Sequence, residues 1–141
     1  MHCVSIKGIV KTVLKNEKIL LCRETAAAYL NLSNGWGIPC KFYIENSDFR
    51  NSTYIRGIYI QKIDTKDTEE KCGILCTNKE RTICELIKYG CDVQTILESI
   101  SNYYYENGEK IPPTLLEKIK AYGIEEEFNK YLTDAIDYYN E

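Results

Sequence analysis

Thr77-Asn78-Lys79-Glu80-Arg81-Thr82-Ile83-Cys84-Glu85-Leu86-Ile87-Lys88-Tyr89 is the stretch whose reading decides the fold. The run before it, Cys72-Gly73-Ile74-Leu75-Cys76, is short and apolar, as a buried strand is. Within the stretch, Ile83, Leu86 and Ile87 recur at the spacing that lines one side of a helix. Thr77 stands three residues before Glu80, which predicts a capping box. The Thr77 hydroxyl would accept the Glu80 amide, and the Glu80 carboxylate would reach back to the amide of Thr77. Arg81, Glu85 and Lys88 fall at i, i+4 and i+7 and are expected to face solvent. Gly90 suits the left-handed position that ends a helix. The chain therefore passes from strand to amphipathic helix here, with sheet-rich sequence before it and helical sequence after it.

Upstream, Ile6, Ile9, Val10, Val13 and Leu14 predict an amphipathic helix over about residues 4–16, with Lys7, Lys11 and Lys15 on another face. Glu17–Cys22 is too short and too apolar for a second helix and reads as a strand. Arg23–Leu32 contains three consecutive alanines and reads as helix; Asn34-Gly35 then marks a turn. Between Gly37 and Asp64 the β-branched and aromatic runs Ile38–Ile44 and Tyr54–Ile63 predict strands. Asp64–Lys71 reads as a charged loop, so the expected sheet has four strands.

Downstream, Asp92 caps a helix with Val93, Ile96, Leu97 and Ile100 on one face. Pro112-Pro113 restarts the chain, since proline fits a first helical turn. Leu115, Leu116, Ile119 and Tyr122 mark a further helix stopped by Gly123. Phe128, Tyr131, Leu132, Ala135 and Tyr139 mark the last. The expected architecture is one α/β (α+β) domain over 1–141, a small mixed sheet flanked by helices. It divides into a leading helix at 1–16, a sheet-rich part at 17–76 and an all-helical part at 77–141.

A chain of 141 residues, 44% apolar and 28% charged, is long enough to bury a core and has the composition of an ordinary globular protein. No apolar run approaches the ~18 residues that span a bilayer, and no secretory leader is evident, so a cytoplasmic location is expected. The net charge of −3 is unevenly spread. Residues 1–23 carry five basic side chains against one acidic, and residues 92–141 carry eleven acidic against four basic. An acidic half repels nucleic acid and suits either solvent or a basic protein surface. The basic stripe Lys7, Lys11 and Lys15 is placed to touch phosphates, but it lacks interleaved arginines and aromatics. The tyrosines Tyr103, Tyr104, Tyr105, Tyr138 and Tyr139 include three in a row, which one helix face cannot bury. They are read as a protein interface or as shields over small helices.

The seven cysteines form no Cys-x-x-Cys, and the one histidine is His2, so four zinc ligands at close spacing are missing. The thiols are expected to serve as small core hydrophobes in a reducing compartment, though Cys72 and Cys76 would share a strand face. Glycine-rich phosphate loops and the Gly-x-Ser-x-Gly elbow are absent. Glu69-Glu70-Lys71 has the acidic-x-Lys spacing of metal-dependent nucleases, with Asp48 or Asp64 upstream, but reads as a solvated turn. No enzyme, cofactor or metal is expected.

Thr77-x-x-Glu80-Arg81-Thr82-Ile83-x-Glu85-Leu86 resembles the C-terminal domain of AbiEi-type antitoxins, in which a short strand runs into Thr-x-x-Glu-Arg-Thr. Arg23-Glu24-Thr25-Ala26-Ala27-Ala28-Tyr29-Leu30-Asn31-Leu32 is similar to the Ser/Ala-rich helix that opens that domain. The resemblance covers about residues 17–141. It departs at Leu30-Asn31-Leu32, where family members carry His-Gly-Leu, and only about sixteen residues precede it where they carry a winged helix-turn-helix. The resemblance implies a stand-alone antitoxin of a type IV, abortive-infection (phage-defence) system. Such a protein counteracts a co-encoded nucleotidyltransferase toxin, directly or functionally. It makes Glu80, Arg81, Thr82 and Glu85 the candidate interaction residues. A transcriptional regulator binding DNA through Lys7, Lys11 and Lys15 is the alternative, and a nuclease around Glu69 and Lys71 a third.

Overall fold

The computed structural model describes residues 5–138. Eleven elements occur in the order α1 (Ile6–Thr12), β1 (Ile19–Leu21), α2 (Arg23–Tyr29), β2 (Cys40–Ile44), β3 (Ile55–Tyr59), β4 (Thr68–Lys71), β5 (Ile74–Thr77), α3 (Lys79–Lys88), α4 (Val93–Glu106), α5 (Pro113–Tyr122) and α6 (Glu125–Asp137). The five strands form one mixed sheet in the order β3-β2-β1-β5-β4. β1 runs parallel to β5 and antiparallel to β2, and β2 runs parallel to β3. The α+β class read from the sequence is the class observed.

The two faces of the sheet are covered differently. Leu21, Cys40, Phe42, Ile44, Ile55, Ile74 and Cys76 point into the main core, where they meet Ala26 and Ala27 of α2 and Ile83 and Leu86 of α3. The opposite face carries Leu20, Cys22 and Tyr43, closed by Ile63 with Ile58, Ile60 and Leu75 packed around it. That second layer is supplied by the irregular segment between β3 and β4 rather than by a helix. α4, α5 and α6 pack outside α2 and α3. This makes α3 a helix covered on several sides, and Arg81 to Ile87 are all buried along it.

Three sequence expectations are corrected. The sheet has a fifth strand, β4, hidden in the polar segment read as a loop. It lies at the edge, where exposed glutamates cost nothing and blunt edge-to-edge pairing. Cys72 and Gly73, both at positive φ (54° and 77°), make the two-residue turn between β4 and β5. Cys72 is thus exposed in a turn and shares no strand face with the buried Cys76.

The cap of α3 is also displaced by one residue. Thr77 stays in the ladder opposite Thr68, and its hydroxyl is sequestered 2.7 Å from that of Thr82. Asn78, extended at ψ 176°, is the N-cap, and its side chain accepts from the Arg81 amide at 2.9 Å. Glu80 is therefore free of the box and accepts instead from the Tyr103 hydroxyl at 2.6 Å.

The third correction concerns α1, which is shorter than 4–16. It begins at the Ser5 cap and ends at Thr12, so Lys15 lies beyond the helix and Val13 is exposed. The Asp92 cap, the start of α5 at Pro113 and its stop at Gly123 are as expected. Tyr139 lies outside the described residues.

Burial raises the thiols of Cys40, Cys76 and Cys84 to about 12, and it raises Cys22 further. In the unfolded chain these groups ionise near 9, so the native state holds more protons above that value. Their contribution is complete below pH 9 and is lost as pH climbs toward 12, each raised thiol steepening the loss by up to ~1.4 kcal/mol per pH unit. Tm followed by circular dichroism should be flat from pH 7 to 8.5 and fall above 9. Alkylation mapped by peptide mass spectrometry at pH 8 should mark Cys72 and spare Cys22, Cys40, Cys76 and Cys84 until the chain is unfolded. In urea denaturation, Asn78→Ala should cost about 1 kcal/mol as the true cap.

Candidate functional site

Two parallel strands, β1 and β5, end side by side and each runs into a helix, α2 and α3. In sheets of this kind, polar groups gather outside the carboxyl ends of the strands. Here that place holds a chain of charged and aromatic side chains. Arg81 Nε donates to Glu85 Oε2 at 2.8 Å, one turn along α3, with both side chains under a tenth exposed. Arg81 Nη1 donates to the carbonyls of Asp64 (2.7 Å) and Lys66 (2.8 Å), pinning the segment that covers the second sheet face. The other carboxylate oxygen of Glu85 accepts from the Tyr43 hydroxyl at 2.9 Å. Arg23 Nη2 lies 3.5 Å from the same hydroxyl, and its guanidinium stacks 4.0 Å from the Tyr89 ring.

The electrostatics follow from burial and pairing. Burial raises the Tyr43 phenol, and the Glu85 charge raises it further. Burial also acts to lower the Arg81 guanidinium, but the hydrogen bond and charge of Glu85 outweigh it and the net direction is upward. Tyr122, close to the pair, is pushed up to about 12, chiefly by burial. Arg81 therefore keeps its charge, with the Glu85 carboxylate 2.8 Å away.

The expectation that Arg81 and Glu85 face outward is wrong: they point into the protein and bind α3 to the sheet and its cover. Thr82 is fully buried against Thr77, and Glu80 holds α4 through Tyr103. All four motif residues are thus engaged internally.

The tyrosines divide likewise. Tyr103 is buried, Tyr104 is half-buried and stacks edge-on against Tyr105, and the Tyr105 hydroxyl donates to the carbonyl of Ile136. Tyr138 donates to Glu98 at 3.4 Å. Tyr105 and Tyr138 thus tie α4 to the end of α6, and Tyr103 ties it to α3.

Sequence reasoning missed the loop between α2 and β2, where Trp36 is 63% exposed. With Asp92 and Thr95 it lines a cleft of about 270 Å³. The loop is held firmly. The buried Thr25 donates through Oγ1 to the Gly37 carbonyl and accepts from the Lys41 amide, each at 2.7 Å. Glu98 accepts the Asn34 amide at 3.0 Å. Gly37 sits at φ +69°, and an added Cβ would come within 2.9 Å of Ala28 and Ile6. The sequence signal available was the Asn34-Gly35 turn beside a lone tryptophan, but Thr25 and Glu98 look like ordinary helix residues.

The basic stripe is redistributed. Lys7 and Lys11 stay exposed on α1, while Lys11 and Lys15 join Lys18 around a second cleft of about 410 Å³. β1 follows α1 directly, so the described residues hold no second helix there to complete a helix-turn-helix. Lys71 donates to the Tyr29 carbonyl at 2.9 Å and is tied to the fold. Among the described residues no three His, Cys, Asp or Glu side chains gather as a metal-holding group, and no helix is long and apolar enough to cross a membrane.

No protein-family model matches the chain, and neither does any curated protein or solved structure.

Removing one partner of a buried pair leaves the other charge stranded, at a cost of about 3–5 kcal/mol. Arg81→Met and Glu85→Leu should each lose about that much in urea denaturation. The double variant should lose clearly less than the sum, because the uncompensated charge disappears with its partner.

Proposed function

We propose that the chain is an antitoxin-type module that counteracts a nucleotidyltransferase toxin encoded beside it, acting by surface contact rather than by chemistry of its own. The observation that carries this reading is the Arg81–Glu85–Tyr43–Arg23 chain. The two segments on which the resemblance to AbiEi-type antitoxins rests, Arg23–Leu32 and Thr77–Leu86, lie far apart in sequence and meet there. Arg23 is at 3.5 Å from Tyr43 and Tyr43 at 2.9 Å from Glu85. A signature whose members lock one another together is what a fold-defining motif would require. It leaves recognition to residues outside it.

The surface that suits recognition is the anchored Trp36 loop. A large amphipathic ring held rigidly in solvent loses little entropy on docking, which is what makes tryptophan an anchor in protein interfaces. The acidic helical half, with Glu125, Glu126 and Glu127 exposed in the first turn of α6, adds a field that draws a basic partner.

Co-expression with the neighbouring toxin gene tests the proposal. The wild-type chain should restore growth. Trp36→Ala should weaken the protection while leaving Tm unchanged. Undiminished toxicity in the presence of soluble, folded wild-type protein would overturn the reading.

A further inference from the structure

We infer that the cleft between α1 and the β4–β5 turn binds a small phosphate ester with an apolar body. The cleft lies at the amino ends of β1 and β5, the end of the sheet opposite the Arg81 pair. Its volume of about 410 Å³ falls within the size of small-ligand pockets. Leu14 and Ile74, almost fully buried, lie at its base with Val10, Ile19 and Leu75, and three lysines stand at its edge.

The charges are what distinguish it. Lys11, Lys15 and Lys18 line it together with one carboxylate, that of Glu17. Three other lysines are paired: Lys41 with Glu24, Lys79 with Glu106 and Lys118 with Asp67, all at 2.7–2.8 Å. Among the described residues Lys11 and Lys15 have no such partner, and Lys18 reaches Glu45 only at 3.9 Å. Lys11 lies over the turn, with its Nζ 3.5 Å from where a Cβ on Gly73 would stand. Three lysines around one cleft, with a single carboxylate among its lining, supply the charge that draws a dianion, and a phosphate monoester carries ≈ −1.5 to −2 at pH 7.

The aliphatic base gives the ligand a second requirement. A bare phosphate would leave Val10, Ile19 and Leu75 in water, whereas a ligand with a ring or chain attached would cover them. An extended nucleic-acid strand is disfavoured, because no aromatic side chain lines the cleft to stack bases and no arginine tracks a backbone. This inference stands apart from the antitoxin proposal, since binding is read on the isolated chain without any toxin.

Calorimetric titration of the full chain tests it, with adenosine 5′-triphosphate and dihexanoyl phosphatidic acid as probes. Inorganic triphosphate and short single-stranded and duplex DNA serve as comparators. At least one organic phosphate should bind about tenfold or more tighter than inorganic triphosphate. Which of the two wins identifies a nucleotide or a lipid headgroup as the source. Lys11→Glu with Lys15→Glu should weaken that binding at least about tenfold, the loss expected for charge-assisted hydrogen bonds. Both positions are exposed, so the fold should be unchanged, and Lys15→Gln and Lys18→Gln give milder versions of the same loss.

The inference is overturned if neither organic phosphate binds at millimolar concentration, or if charge reversal leaves binding unchanged. It is equally overturned if inorganic triphosphate binds as well as the esters, or if DNA binds tighter than all of them.

Discussion

A guanidinium cannot be left uncompensated inside a protein, and the arrangement around Arg81 is the consequence. Desolvating such an ion costs several kcal/mol even after relaxation. Glu85 on the same helix answers the charge, and the carbonyls of Asp64 and Lys66 take further donors. Tyr43 satisfies the remaining carboxylate oxygen. Each partner comes from a different layer: α3, the segment between β3 and β4, and the central sheet. The pair therefore does what an apolar contact could not, since it fixes direction as well as proximity. The segment beyond β3 has few apolar residues of its own, and Ile63 closes the second sheet face because Arg81 holds the backbone beside it.

The same economy runs through the helical half. Glu80, released from the expected capping box, reaches Tyr103 on α4, and Lys118 on α5 reaches Asp67 before β4. Glu98 gathers the Asn34 amide, Gln94 and Tyr138 from three elements. Polar side chains thus fasten the outer helices to the sheet layer, and Tyr105 and Tyr138 tie α4 to the end of α6. The motif is turned inward. Two of the features left on the outside are the Trp36 loop and the lysine cleft.

Those two outward features have opposite character. The Trp36 loop is rigid, aromatic and close to the paired Glu24–Lys41 bridge. The cleft is bordered by Lys11 and Lys15, which have no ion-pair partner among the described residues, and by Lys18, and has an aliphatic base. The first suits a protein surface and the second a small anion. They can be tested separately.

The sequence by itself determined the fold class, the order of the elements other than β4, and most caps, because these rest on local periodicity and on single residues with one strong preference. Asp92, Pro113 and Gly123 do what their chemistry dictates wherever they stand. The helical stripe of Ile83, Leu86 and Ile87 was legible for the same reason. Only the tertiary structure decided the rest. An arginine and a glutamate four residues apart look the same on a solvated helix and on a buried one, and burial on several sides of α3 selected the second. Thr68–Lys71 has no apolar face to betray a strand, and only pairing with Ile74–Thr77 makes it one. Thr25, Gly37 and Glu98 acquire their task from a loop that folds back over α2, a contact with no periodic trace. The lysine cleft is likewise a product of packing, since its base comes from α1, β1 and β5, brought together when the sheet closes.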